Sequence, residues 1–380
     1  MECYLDNSAT TRVDEDVAAL MNKIMLEDYG NPSSLHIKGF EAEKYINRAK
    51  DIFAGILKCE SGEIYFTSGG TESNNTAIIG TAAANRRRGM HMITTRIEHA
   101  AVSAPMKFLE SLGFRIDYLD VDRNGIADLQ QLKELLTPDT ILVSVMHVNN
   151  EIGSVEPVEE IGQLIHSTVP ECLFHVDDIQ GFGKLRLIPR NSYIDLLSVS
   201  SHKLHGPKGT GLLYISRRSR LSPLIFGGGQ QKGMRSGTEN VPGIAGFALA
   251  AEKINRNIDT VYSGFCSLRE SFINGIADIP DLTVNGNGAP YIISLSVKDV
   301  RAEVLLHSLE EKNVYVSAGS ACSSNKPSVS ATLKAIHVPE YALDSTVRIS
   351  LSPHTTSAEI DYAVKCLHEL IPSLRKYTRK

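Results

Sequence analysis

Between about residues 60 and 215, short apolar runs rich in β-branched residues alternate with helical patterns, and this alternation constrains the fold more than any other feature. The runs are EIYFT (63–67), HMITT (91–95), RIDYL (115–119), ILVSVMHV (141–148), LFHVD (173–177), DLLSVS (195–200) and GLLYIS (211–216). Between them, NNTAIIGTAAANRRR (74–88) and VEEIGQLIHSTV (158–169) read as helices. Strands that are apolar throughout need cover on both faces, and intervening helices supply it. The pattern predicts an α/β domain with a mainly parallel, doubly covered sheet. In such sheets ligands sit beyond the carboxyl ends of the strands. The residues that follow each run are therefore the place to look for chemistry.

The pattern changes after residue 255. NRNIDTVYSGFCSLRESFINGI (255–276) reads as a long helix, followed by the strands YIISLSV (291–297), VYVSAG (314–319) and VRISLS (347–352). These predict a second, smaller α+β domain. The expected division is a large domain over 13–256 and a small domain built from 1–12 and 257–380. With 380 residues, two domains of ordinary size are available. The net charge of -5 makes nucleic acid an unpromising partner, and Arg86–Arg88 read as a solvated helix end. The six cysteines are scattered without a CxxC pair, which argues against a zinc site and a disulfide scaffold. No signal-peptide pattern opens the chain, and no apolar run approaches the ~18 residues of a membrane span. The expected location is the reducing cytoplasm.

Several strand ends carry candidate groups. After EIYFT comes SGGTESNN (68–75), a glycine turn into a helix whose free N–H groups could cradle a phosphate. An ordinary capped helix would look the same. His99 follows HMITT, and Asn149 and Asn150 follow ILVSVMHV; each has an ordinary structural reading as well. Asp177 ends a buried strand and needs a partner, either a cationic ring nitrogen or an arginine. Lys203 follows DLLSVS within SHKLHGPKGTG (201–211), where an amine nucleophile or an exposed lysine would both be at home. GGGQQKGMRSGTEN (227–240) is a glycine-rich loop holding Arg235 and Thr238. Taken together, a phosphate cradle, a carboxylate for a pyridinium nitrogen and a lysine for a Schiff base are what pyridoxal 5′-phosphate requires.

At this point the sequence resembles the cysteine desulfurases of the NifS/IscS type, in the class V aminotransferase superfamily of fold-type I. The resemblance runs in order through YLDNSATT (4–11), GNPSSLH (30–36), TSGGTES (67–73), EHAAV (98–102), MHVNNEIG (146–153), HVDDIQ (175–180), SSHKLHGPKG (200–209), GGGQQKGMRSGTEN (227–240), SAGSACSS (317–324) and VRISL (347–351). It implies a large domain with a mainly parallel seven-stranded sheet and a smaller α+β domain. It implies that Lys203 holds pyridoxal phosphate as a Schiff base and later moves the α-proton. Asp177 would pair with the pyridine nitrogen, Gln180 with the phenolic oxygen, and His99 would stack on the ring and assist proton transfer. Gly70, Thr71, Ser200 and His202 would hold the phosphate, and Thr238 would reach the phosphate of the neighbouring subunit in a homodimer. Asn150 would lie near cofactor and substrate, and Arg348 would bind the substrate carboxylate through its rigid fork. No residue is assigned to a resident metal; metal binding enters by family analogy alone.

Cys322 sits in SAGSACSSN (317–325), a stretch of small residues that reads as a mobile, solvent-facing loop. The resemblance gives such a thiol a purpose. It attacks the sulfur of substrate cysteine, carries it as a persulfide while alanine is released, and delivers it to an acceptor. The SACSS form resembles the longer-loop group, which implies acceptors of the iron–sulfur scaffold or tRNA-thiolation kind. The other five cysteines read as structural. Three positions depart from the family pattern. Asp178 stands where alanine is usual, Ser201 where glycine is usual, and Gly70 where alanine is common. Asp178 is expected to disturb Asp177 and weaken cofactor binding, so Asp178→Ala should tighten it. Alternatives are a selenocysteine lyase or transaminase on the same scaffold, or an interaction scaffold without cofactor chemistry, supported by Asp178 alone.

Overall fold

The computed structural model describes residues 1–318 and 329–377. A short strand β1 (Cys3–Tyr4) is followed by helices α1 (Glu15–Leu26) and α2 (Ile37–Leu57). Then come β2 (Ile64–Thr67), α3 (Gly70–Asn85), β3 (His91–Thr95), α4 (Ala100–Ser111), β4 (Arg115–Leu119), α5 (Leu129–Leu135), β5 (Thr140–Met146), α6 (Val158–Thr168), β6 (Leu173–Asp177), β7 (Leu196–Ser200) and β8 (Gly211–Ile215). The seven strands β2–β8 form one sheet in the order β2-β8-β7-β6-β5-β3-β4. Strands β7, β6, β5, β3 and β4 run parallel, and β8 is antiparallel to both its neighbours. Every residue of β3, β5, β6, β7 and β8 is buried, as expected of strands covered on both faces. One core, with Phe53, Phe66, Phe174 and Phe247, lies under α2 and α7 (Val241–Arg256). The other, with Ala77, Ile78 and Met106, lies under α3 and α4.

The C-terminal part holds α8 (Ile258–Gly275), β9 (Leu282–Asn285), β10 (Ile292–Val297), α9 (Ala302–Glu310), β11 (Val314–Tyr315), β12 (Ser317–Ala318), α10 (Ala331–Ala335), β13 (Thr346–Ser350) and α11 (Ser357–Tyr377). An antiparallel sheet in the order β12-β13-β10-β9 backs onto α8, α9 and α11 through a core that includes Phe265, Phe272, Leu295 and Ile349. Cys3 and Leu5 belong to this core, and β1 pairs in parallel with β11. The chain's start is thus tied to its end. Residues 5–12 then run from this core across the carboxyl ends of the large sheet, where Thr11 N–H donates to the His202 carbonyl (2.9 Å).

Candidate active site

The carboxyl ends of β5, β6 and β7 open onto a cavity of about 310 Å³. Lys203 lines it from the single 3-10 turn (Ser201–Lys203) that follows β7, and its Nζ donates to the carbonyls of Ser8 and Ala9 (2.5 and 2.8 Å). Asp177, the last residue of β6, is buried. Its Oδ2 accepts from Asn74 Nδ2 (2.7 Å) and its Oδ1 from the Ile179 N–H (3.1 Å). Burial pushes this carboxyl up, and His99 is the chief influence against it. The N-terminus of α3 brings Gly70 and Thr71 to the same cavity. Gly69 caps that helix at φ 152°, ψ -179°, a conformation open to glycine alone, so the sharp entry from β2 into α3 depends on it. Ser200 and His202 complete this wall, and burial, reinforced by Lys203, pushes the His202 imidazole down to about 4.

His99 lines the cavity from the N-cap of α4, where its Nδ1 accepts from the Ala101 N–H (3.1 Å). Nδ1 is therefore the unprotonated nitrogen, and a neutral His99 carries its proton on Nε2. Gln180 donates from Nε2 to the Ser8 carbonyl (3.0 Å), and its Oε1 is buried with no hydrogen-bond partner. Arg348, from β13, is 3% exposed. Its Nη1 donates to the Asn150 carbonyl (2.8 Å) and its Nη2 to Asp6 Oδ1 (2.7 Å), while Nε is buried without a partner. Asn150 lines the cavity, and its main chain holds Arg348; the side chain that organises this turn is Asn149, which bonds the Ile97 carbonyl and the Glu151 and Ile152 N–H groups.

Eleven of the twelve predicted site residues lie within described segments, and ten of these line this one cavity: Gly70, Thr71, His99, Asn150, Asp177, Gln180, Ser200, His202, Lys203 and Arg348. Thr238 does not. It is exposed on the 227–240 loop, which Arg235 pins to the first turn of α3 through Glu72 (2.9 Å). Cys322 lies outside the described residues. The remaining five cysteines are free; burial pushes the thiols of Cys3, Cys59 and Cys172 up to about 11, 12 and 12.

Asp178 acts on Asp177 from outside the cavity. Its side chain does not line the cavity. It is buried, and Oδ1 accepts from His147 Nδ1 at 2.6 Å. Burial outweighs Asp178 in raising the Asp177 carboxyl. Asp178 adds to the rise of the Asp177 carboxyl in the expected direction, as a lesser cause than burial, and its bond to His147 gives it a place in the core. The Gly70 departure is compensated rather than merely mild: a Cβ there would stand 2.1 Å from Ile179 Cδ1, so Ile179 fills the space of an alanine methyl. Ser201 is fully buried, and its Oγ occupies room left by Gly206, where a Cβ would come within 2.1 Å.

Three participants were missed from sequence. Asn74 orients Asp177, and its only signal was its place one turn beyond Gly70 on the helix that opens the cradle. Asp6 holds Arg348 from 342 residues away. Glu98, beside His99, is half-buried with its carboxylate turned inward; Oε1 accepts from Thr95 Oγ1 (2.7 Å) and the Met146 N–H (3.0 Å), and desolvation pushes the carboxyl up to about 8.

A lysine, a buried carboxylate and a helix N-terminus around one cavity define a site for a flat, anionic, amine-reactive cofactor. The chain matches the class-V aminotransferase family model over residues 3–363 and belongs to that family. Among curated relatives, the cysteine desulfurase IscS of Dictyoglomus turgidum is 42% identical over 378 residues, covering 98% of this chain and 95% of the relative. The cysteine desulfurase IscS of Methanosarcina thermophila is 40% identical over 375 residues, covering 98% and 92%. A solved NifS-like protein superposes with a TM-score of 0.93 at 36% identity, covering 98% of this chain and all of that one. The fold is the α/β fold of these fold-type I enzymes. Pyridoxal phosphate fits the residues present: Gln180 offers a buried, unpaired acceptor, and Asp177 a desolvated carboxyl that a ring cation would favour.

Proposed function

We propose that the chain is a pyridoxal-phosphate-dependent L-cysteine desulfurase that forms a persulfide on Cys322 and passes it to an acceptor protein. The observation that carries this reading is that Lys203 and Asp177 stand at the ends of adjacent strands, in one cavity with the α3 N-terminus. Lys203 binds the cofactor through its amine. Gly70, Thr71, Ser200 and His202 hold its phosphate, and Gln180 its phenolic oxygen. Asp177, kept in register by Asn74, favours a protonated ring nitrogen. When bound, the cofactor supplies an electron sink for the pair released at the substrate Cα. Arg348 takes the substrate carboxylate, with Asn150 beside it and Asp6 holding the guanidinium flat. Lys203 removes the Cα proton, and His99 assists proton transfer from Nε2. The thiolate of Cys322 attacks the substrate sulfur: an S–S bond forms, the Cβ–S bond breaks, and protonation of the remaining carbon skeleton gives alanine.

The reading includes a large domain over 13–256 and a small domain over 1–12 and 257–380. It also includes a homodimer, supported by the exposed Thr238 and by Phe226, 79% exposed on the neighbouring segment. No helix of the described residues is long and apolar enough to cross a membrane, in keeping with a cytoplasmic enzyme. An iron–sulfur scaffold or a tRNA-thiolation protein is the acceptor the reading favours. The test is incubation with L-cysteine, pyridoxal phosphate and a thiol reductant. Equimolar alanine and sulfide, both lost in Cys322→Ser, are expected; alanine formation undiminished in Cys322→Ser would refute the persulfide step.

A further inference from the structure

Behind the wall that carries Lys203 lies a second buried amine. Lys184 is 4% exposed, its Nζ donates to the Gln180 carbonyl (3.4 Å), and it stands 4.7 Å over the Tyr291 ring. Tyr291 donates its hydroxyl to the same carbonyl (2.9 Å). Gln180 in turn reaches the Ser8 carbonyl, which also accepts from Lys203. The two lysines therefore meet one hydrogen-bonded hub. A buried ammonium is costly unless a counter-charge and acceptors surround it. Asp178 supplies a counter-charge at longer range, without a direct ion pair, and it is built in. His147 donates to it, its own N–H bonds the Ser198 carbonyl (3.0 Å), and Gly181 leaves room, since a Cβ there would lie 2.2 Å from Asp178 Oδ1.

We propose that Lys184 is a positioning residue for Lys203: a buried ammonium that holds the Gln180–Ser8 hub and disfavours a second positive charge on the Lys203 nitrogen. The Gln180 carbonyl and the Tyr291 ring hold Lys184 in place, and Asp178, paired with His147, favours its charged form. The charged and titratable groups around it are Asp178 with His147 from the ends of β6 and β5, Lys203 after β7, and Tyr291 ahead of β10. His202 and His205 feel it weakly: burial holds both imidazoles down near 4, with Lys203 and Lys208 ahead of Lys184 at His202 and His354 ahead of it at His205. Lys184 itself is pushed down to about 7, by burial first and by Lys203 second, with Asp178 acting against both. Two like charges on one hub disfavour each other, so while Lys184 is protonated a second positive charge at Lys203 is opposed. An amine that must be neutral to capture a carbonyl gains from such a neighbour.

The inference rests on Lys203 being the cofactor lysine, and the test separates the two ideas. Wild type, Lys184→Met and Lys184→Arg are loaded with pyridoxal phosphate, and the visible absorbance is titrated from acidic to alkaline pH. The midpoint is expected to rise by about one pH unit in Lys184→Met and to stay put in Lys184→Arg, as loss and retention of a like charge require. The rate of cofactor capture by the apoprotein should shift along the pH axis in the same way. Lys184→Gln serves as the neutral variant if Lys184→Met fails to fold. A Met or Gln variant with weaker binding but an unmoved midpoint would overturn the proposal, leaving Lys184 a merely structural residue. A wild type with no such absorbance, or one that keeps it in Lys203→Ala, would instead overturn the assignment of Lys203.

Discussion

Replacing Glu98 by glutamine should change how stability depends on pH. Glu98 is half-buried as a residue but its Oε2 is out of contact with solvent, and this desolvation pushes its carboxyl from the ordinary 4.5 up to about 8, with Asp177 and Glu156 adding to the shift. Between those values the folded protein holds a proton that the unfolded chain has released. Stability gained below the unfolded value is therefore lost as pH rises through the window. At about 1.36 kcal/mol per pH unit for one proton, the wild type should lose about 2 kcal/mol from this group between about pH 6 and pH 8. Glutamine cannot titrate, and its Oε1 can keep both bonds, from the Thr95 hydroxyl and the Met146 N–H. Its Nε2 would replace Oε2, which is buried without a hydrogen-bond partner, at a cost that does not vary with pH. Glu156, also pushed up to about 8, is common to both proteins and cancels in the difference. The assay is urea unfolding followed by circular dichroism across the pH series. The glutamine curve should gain on wild type steadily toward alkaline pH. Two parallel curves would mean that Glu98 is ionised throughout, and the reasoning from burial would fail.

Arg348→Lys keeps a charge but loses the fork that spans the Asn150 carbonyl and Asp6. We expect kcat/KM for L-cysteine to fall about 10- to 100-fold, mostly through KM; an unchanged KM in steady-state assays would remove Arg348 from substrate binding. Asp177→Asn should retain the cofactor but lower kcat by at least about 100-fold, since a neutral amide no longer favours a ring cation; near wild-type alanine production would refute the pairing. Gly70→Ala should cost about 1–3 kcal/mol by pressing on Ile179, which stands 2.1 Å from the new Cβ. Combined with Ile179→Ala, the penalty should vanish, and additive effects in the double-mutant cycle would show that the two side chains do not compete for the space.

The sheet was legible because burial on both faces selects short runs rich in apolar and β-branched residues: β3 and β6 coincide with HMITT and LFHVD, and the edge strand β4, with Arg115 exposed, still coincides with RIDYL. Other elements carry weaker writing. In β9 (LTVN) only Asn285 is buried, so no apolar run marks it, and the helical stripe of α2 is diluted by Lys and Glu on its open side. The cavity was legible for a related reason. Residues at strand ends must emerge at one edge of a parallel sheet, which brings Asp177 and Lys203 together although 26 positions separate them. What sequence adjacency does not carry is direction. Asp177 and Asp178 are neighbours in the chain, yet successive residues on an extended segment point to opposite sides, so one enters the cavity and the other turns to His147.

The departures from the family pattern follow from the same geometry. Read along the chain, Gly70, Asp178 and Ser201 look like three separate losses around a cofactor. In space each is matched by another residue. Ile179 fills the space beside Gly70, Gly206 makes room for the Ser201 hydroxyl, and Gly181 makes room for Asp178 and its histidine. Close-packed interiors tolerate change where volume is conserved across a contact, and a buried charge where a partner and a gap are both provided. The partner can lie one residue away, as for Gly181 and His147, whose ring nitrogen would be 2.5 Å from an added Cβ, only in three dimensions, since 34 positions separate them in the chain. A departure at an active site is therefore weak grounds for inferring lost chemistry until the atoms opposite it are known. Here those atoms preserve the cavity, and the added carboxylate has a buried lysine to serve.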